Sequence, residues 1–183
     1  MPAAKLDILA ISGALRHGSF NTALLHTAMA LAPEDVAIEI YDHHDMPLYD
    51  GDLEVSAYPA AATRLKDRVR RADAVLFAVP EYNYSIPGVL KNLIDWGSRP
   101  YGQSCWDRKP TAIMGTGGGL GTARSQYHFR QVAHALDMHI VTRPEIFVAN
   151  AATKFDKDLN LTDQVARDLI AKLVVALRDL ARG

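Results

Sequence analysis

An intramolecular disulfide is out of reach for this chain, because Cys105 is its only cysteine in 183 residues. A single thiol also excludes a cysteine-built metal cluster and suits a reducing compartment. Its setting, beside Trp106 in a polar loop, reads as a partly exposed and chemically inert thiol. No apolar run approaches the roughly 18 residues that a membrane span requires. Residues 1–5 lack the charged-then-apolar pattern of a signal peptide. A soluble, cytoplasmic protein with no membrane partner is expected. No basic run breaks the near balance of 20 Lys and Arg against 21 Asp and Glu, a formal charge of -1. A nucleic-acid partner therefore has no electrostatic footprint here. The dinucleotide pattern Gly-x-Gly-x-x-Gly is missing throughout. Gly13 and Gly18 have P-loop spacing, but Ser19-Phe20 stands where Lys-Ser/Thr is needed, so a triphosphate would be poorly neutralised. His43-His44-Asp45 makes a poor metal site, since adjacent histidines project in different directions, and reads as a solvated loop. Repeats, low-complexity segments and composition shifts are also lacking, which leaves residues 1–183 as one domain.

What is present is an alternation of short apolar runs with helical periodicity. Buried strands are expected over 6–11, 36–41, 74–79 and 111–114, with a split fifth strand over 139–141 and 146–148. Helices are expected over 20–31, 57–71, from Pro87 onward, over 122–136, and in a final segment capped by Asn160 or Thr162. That last helix carries the stripe Val165, Leu169, Leu173, Leu177 and Leu180. A polar connection, 42–52, contains no expected element. Strands alternating with helices imply an α/β three-layer sandwich around a parallel sheet. Five such units in this length fit the flavodoxin-like order 2-1-3-4-5 better than a six-stranded dinucleotide fold.

Three loops at strand ends carry the chemistry. Residues 12–21, Ser-Gly-Ala-Leu-Arg-His-Gly-Ser-Phe-Asn, lead straight into a helix, whose amino end attracts phosphate through unpaired N–H groups and its dipole. Ser12, Ser19, Asn21 and Arg16 complete a cage suited to one phosphate, and Ser19 serves equally as a helix cap. In the second loop Pro80 ends a strand and Glu81 to Ser85 form a polar, aromatic turn. Ser85 is positioned as a cap and Pro87 as a first helical residue. Val89, Leu90, Leu93, Ile94 and Trp96 give the helix that follows an apolar face. In the third loop five glycines fall within seven residues, 115–121, where missing side chains let the backbone approach a ligand closely.

Pro80-Glu81-Tyr82-Asn83-Tyr84-Ser85-Ile86-Pro87-Gly88, continued by Leu90-Lys91-Asn92-x-x-Asp95-Trp96, resembles the signature of NAD(P)H-dependent FMN reductases. This flavodoxin-like family includes quinone, azo and chromate reductases. The first loop resembles the family's phosphate loop, Gly-Ser-x-Arg-x-x-Ser-x-Asn, with Ala14 in place of its second residue. The resemblance implies FMN contacts from Ser12, Arg16, Ser19, Phe20 and Asn21. It adds Pro80, Glu81, Tyr82, Asn83, Tyr84 and Ser85, with the amides of 81–84 on the ring edge, and Gly115, Thr116, Gly117 and Gly118. The helix after the glycines would then help to hold negative charge on the reduced ring. The implied activity is ping-pong hydride transfer from NAD(P)H through flavin N5 to quinones, azo compounds, chromate or free flavin. The cofactor carries the chemistry, so no catalytic acid or base is needed. Arg99 or Arg16 is a candidate for the phosphates of the pyridine nucleotide. Leu90, Ile94 and Trp96 resemble the family's dimer helix, and Arg124, Tyr127 and Glu145 with Tyr84 resemble its tetramer contact. His128 and His134 read as surface or interface residues. An electron carrier or an FMN-binding sensor without turnover is the alternative, but carriers tend to be strongly acidic and this chain is balanced.

Overall fold

The computed structural model describes residues 4–183. Its centre is a parallel sheet built from the apolar runs: β1 (Leu6–Ser12), β2 (Val36–Ile40), β3 (Ala74–Ala78) and β4 (Pro110–Thr116). The fifth position is shared by β5 (His139–Ile140) and β6 (Ile146–Val148), which pair in turn with the beginning and end of β4. The order is β2-β1-β3-β4-β5, all parallel, as a flavodoxin-like fold requires. Register sets Ile11 beside Phe77 and Ser12 beside Ala78, so the carboxyl ends of β1 and β3 finish together.

Side chains alternate across the sheet and divide the core into two layers. Ile8, Ala10, Leu76 and Ala78 pack against α1 (Phe20–Ala30) and α6 (Gln164–Arg182). Leu9, Ile11, Val75 and Phe77 pack against α3 (Ala60–Arg71), α4 (Gly88–Gly97) and α5 (Ala123–Ala135). Because both faces of β3 are covered, all of its residues are buried, which explains a run without polar alternation.

Five details depart from the sequence expectations. The connection 42–52 runs into a short helix, α2 (Gly51–Ser56), capped by Asp50; it buries nothing and so leaves no periodic signal. Its presence delays α3 to Ala60. Asp163 caps α6, its Oδ1 accepting from the Ala166 N–H at 2.8 Å, while Asn160 serves a turn on Asp156 and the Thr162 hydroxyl donates to the Lys154 carbonyl. The buried face of α6 is Ala166, Ile170, Leu173, Val174 and Leu177, with Val165 out in solvent. Leu90, Leu93, Ile94 and Trp96 are fully buried in the chain's own core, so the face expected at a dimer contact is already closed. Cys105 is buried with Trp106, not partly exposed. Trp106 packs against Gly97, where a Cβ would lie 2.4 Å from its Nε1. Burial pushes the Cys105 thiol up to about 12, consistent with an inert group.

Candidate active site

The first wall of the site is the turn from β1 into α1. Ser19 caps α1, its hydroxyl accepting from the Thr22 N–H at 3.4 Å. Among the described residues, none accepts from the backbone N–H of Arg16, His17, Gly18, Ser19, Phe20 or Asn21. These donors and the helix dipole leave one concentrated positive region. Arg16 folds back over the turn, its Nη1 donating to the Gly18 carbonyl at 2.7 Å with the guanidinium 5.9 Å from the Phe20 ring. Asn21 is buried, and its amide is fully engaged with the backbone of Thr116, at 2.9 Å through Nδ2 and 3.0 Å through Oδ1. It ties the phosphate-loop helix to the tip of β4. His43 departs from the solvated loop expected of it: it is buried, and Nε2 bonds to the Ser12 carbonyl at 2.8 Å, bracing the loop from behind.

The second wall is a two-residue hairpin. Tyr82 and Ser85 exchange backbone hydrogen bonds at 3.1 and 3.0 Å, with Asn83 and Tyr84 at φ of 49° and 65°. Two successive positive φ angles define a type I′ turn, which Asn tolerates and an aromatic residue rarely adopts. Tyr84 is held there by Arg124, whose guanidinium lies 3.5 Å from the ring centroid. The Tyr82 amide is consumed by this hairpin, so of the four amides expected on the ring edge only those of Glu81, Asn83 and Tyr84 lack an acceptor among the described residues. Ser85 caps no helix; its hydroxyl bonds to Nδ1 of His128 at 3.0 Å. Glu81 does more than lend an amide. Its carboxylate accepts from the Arg124 N–H at 3.1 Å, the Ser125 N–H at 3.4 Å and Arg124 Nε at 2.6 Å. The amino end of α5, expected to face the reduced ring as a positive pole, is therefore already capped by a carboxylate.

The glycine run forms the third wall. Gly115 is packed, since a Cβ there would stand 2.1 Å from Thr122 Oγ1 and 2.5 Å from the Val79 carbonyl. Gly118 and Gly119 would meet nothing within 4 Å, and the N–H groups of Gly118, Gly119 and Leu120 lack a partner among the described residues. The close-approach requirement thus falls at Gly115 for packing and at Gly118 and Gly119 for open space.

These walls enclose a cleft of about 520 Å³. Arg16, Ser19, Phe20, Asn21, Pro80, Glu81, Tyr82, Thr116, Gly117 and Gly118 line it. Asn83 and Tyr84 line a smaller cavity of about 350 Å³ that shares Glu81, Gly117 and Gly118 with it. Three expected site residues stand back. The Ser12 hydroxyl pairs with Thr22 Oγ1 at 2.8 Å, Ser85 turns to His128, and Gly115 is sealed behind Thr122. Arg99 lies over the rings of Tyr49 and Tyr101 and is not among the lining residues, which leaves Arg16 as the arginine at the cleft. Of the four residues expected at a contact between subunits, Arg124 and Tyr84 meet within one chain. Tyr127 packs against Phe147, and Glu145 pairs with Arg130 and Arg143. The segment after β6 was missed: Asn150, Ala151 and Thr153 line the cleft, with the Asn150 and Ala151 N–H groups bonded to Gly118 and Gly117. The sequence cue is an Asn two residues past a short strand, and Asn150 does take a left-handed φ of 55°.

A flavodoxin-like sheet with a row of unpartnered N–H groups, open glycine backbone and a cleft of this size at its strand carboxyl ends is the architecture of a mononucleotide-binding protein, and these residues fit FMN. The sequence profile of the family described as NADPH-dependent FMN reductase matches residues 6–153. The chain is 46% identical over 174 residues to an NAD(P)H-dependent FMN reductase of Pseudomonas aeruginosa, covering 94% of each. It is 43% identical over 180 residues to an NADPH:quinone oxidoreductase of Arabidopsis thaliana, covering 94% of this chain and 90% of that one. Among solved structures it is similar to FerB, a flavoenzyme NAD(P)H:(acceptor) oxidoreductase of Paracoccus denitrificans. There the TM-score is 0.87 at 34% identity, over 96% of this chain and 97% of that one. The chain belongs to the NADPH-dependent FMN reductase family.

Proposed function

We propose that the cleft holds one FMN and that the protein passes electrons from NAD(P)H to quinones in a ping-pong cycle. Azo compounds, chromate and free flavin are further acceptors on the same reading. The observation that carries it is the unpaired N–H row of residues 16–21, opening into a cleft whose far side is bare glycine backbone. When bound, FMN supplies a ring that takes up a hydride and gives it on. The chain supplies placement. The amino end of α1 and the charge of Arg16 hold the phosphate, which fixes the cofactor at one end. The free amides of Glu81, Asn83, Gly118 and Gly119 offer donors to the polar edge of the ring. The hairpin and the Asn150 segment, both tied to neighbouring backbone, set the width of the slot. Because Gly118 and Gly119 carry no side chains, a second flat molecule has room to stack, and one shared face dictates that donor and acceptor alternate.

A formal charge of -1 favours an enzyme over an electron carrier, which gains encounter rate from a strongly charged surface. Exposed Tyr82, Tyr84 and Tyr127 support assembly with a second copy, as dimer or tetramer, through a surface that includes Arg124 and Glu145. A lone buried thiol supports a cytoplasmic setting. No helix among the described residues is long and apolar enough to cross a membrane. The test is anaerobic addition of NADPH or NADH to the FMN-loaded protein. Its yellow absorption should bleach with at least one nucleotide and return on adding benzoquinone, with parallel initial-rate plots in steady state. Bleaching by neither nucleotide contradicts turnover, and intersecting plots contradict alternation.

A further inference from the structure

We infer that Glu81 sets the reduction potential of the bound flavin by occupying, with its carboxylate, the positive pole that the amino end of α5 and Arg124 would otherwise present to the cleft. The inference rests on the FMN reading above. Thr122, the residue at the cap position of α5, makes no side-chain cap bond, and the backbone there is left-handed at φ 70°. The cap comes instead from another loop: Glu81 accepts from the N–H groups of Arg124 and Ser125 and from the Arg124 guanidinium. Glu81 is also at the seam of the site, since it lines both the main cleft and the smaller cavity, each time together with Gly117 and Gly118.

Two positive features meet at this seam, and each favours negative charge nearby. Left uncompensated, they would stabilise a reduced, anionic ring and make the flavin a stronger oxidant. One carboxylate offsets most of this positive charge. The protein therefore keeps its flavin a readier electron donor than it would be with the α5 end and Arg124 left unopposed. Arg124 has a second hold, over the Tyr84 ring, so removing the charge of Glu81 leaves the guanidinium in place and unbalanced.

Charge and shape are separable here. Glu81→Gln keeps an oxygen that can accept from the two N–H groups and removes one negative charge. Arg124→Met removes one positive charge and leaves the carboxylate on the helix end. The experiment is the midpoint potential of the FMN-loaded protein against a reference dye, with the thermal midpoint of each apo-protein as a second readout. Glu81→Gln should raise the potential and Arg124→Met should lower it. Each shift should correspond to about a tenfold change in the ratio of reduced to oxidised flavin affinity, or about 30 mV for a two-electron couple. Apo-protein midpoints should fall for both variants, since both lose an ion pair, so only the potentials separate in sign. Potentials that stay put, or that move in the same direction while FMN remains bound, reduce Glu81 to a structural cap and overturn the inference. A wild-type protein that retains no FMN overturns the reading beneath it as well.

Discussion

Gly115 and Gly118 lie three residues apart in one glycine run, yet they meet opposite constraints. A methyl on Gly115 would collide with Thr122 and the Val79 carbonyl, whereas Gly118 faces open space. Gly115→Ala is therefore expected to cost about 1–3 kcal/mol in chemical denaturation, the range for overpacking. Gly118→Ala should stay within about 0.5 kcal/mol of the parent while weakening FMN retention, because it adds bulk only where the slot must be clear. The glycine run was legible from residue types but this division was not, since which glycine is packed depends on Thr122, folded back from beyond the run. The same holds for Glu81 and Asn21. Their presence in the loops was legible, but the carboxylate's grip on α5 and the amide's grip on Thr116 arise only when distant segments meet. Burial at Cys105 and Tyr58 gives a pH prediction. Both groups are raised to about 12, from ordinary values of 9.0 and 10.0, chiefly by loss of solvent. The unfolded chain releases these protons first, so between pH 9 and 12 it binds fewer protons than the native state and stability falls as pH rises. Thermal midpoints should be insensitive to these groups below pH 9 and drop above it, and Cys105→Ala should flatten part of that drop.

At the level of elements, the order of strands and helices was legible because apolar runs on both faces of β1 and β3 can only belong to a covered parallel sheet. The split fifth strand was legible from two short runs, and it appears as β5 and β6 on one neighbour. Helix ends were harder. Asn160, Thr162 and Asp163 are all good caps by type, and the choice among them is made by the turn that Asp156 builds with Asn160. Asp163 also pairs with Lys154. Asp163→Ala is thus expected to lower stability by about 1 kcal/mol, a typical cap loss, and Thr162→Ala by less, as read from urea melts. Equal losses would mean that α6 starts elsewhere. α2 was not legible because none of its residues is buried, so no periodic apolar pattern marks it.

For the molecule as a whole, the sheet order places the tips of β1, β3 and β4 side by side, and the three loops that follow converge without any long-range motif to announce it. Asn21 pins the first of these loops to β4, Glu81 pins the second to the helix after the third, and the Asn150 segment closes the remaining side. That convergence is the central claim, and the crystal structure of the FMN-loaded protein tests it most directly. Difference density should place the phosphate against the N–H groups of residues 16–21 and the ring between the Tyr82 hairpin and Gly117–Gly118. Density for the ring in the adjoining cleft between α1 and the end of β2, which shares Arg16 and Ser19 but is lined beyond them by His26, His43 and His44, would contradict it.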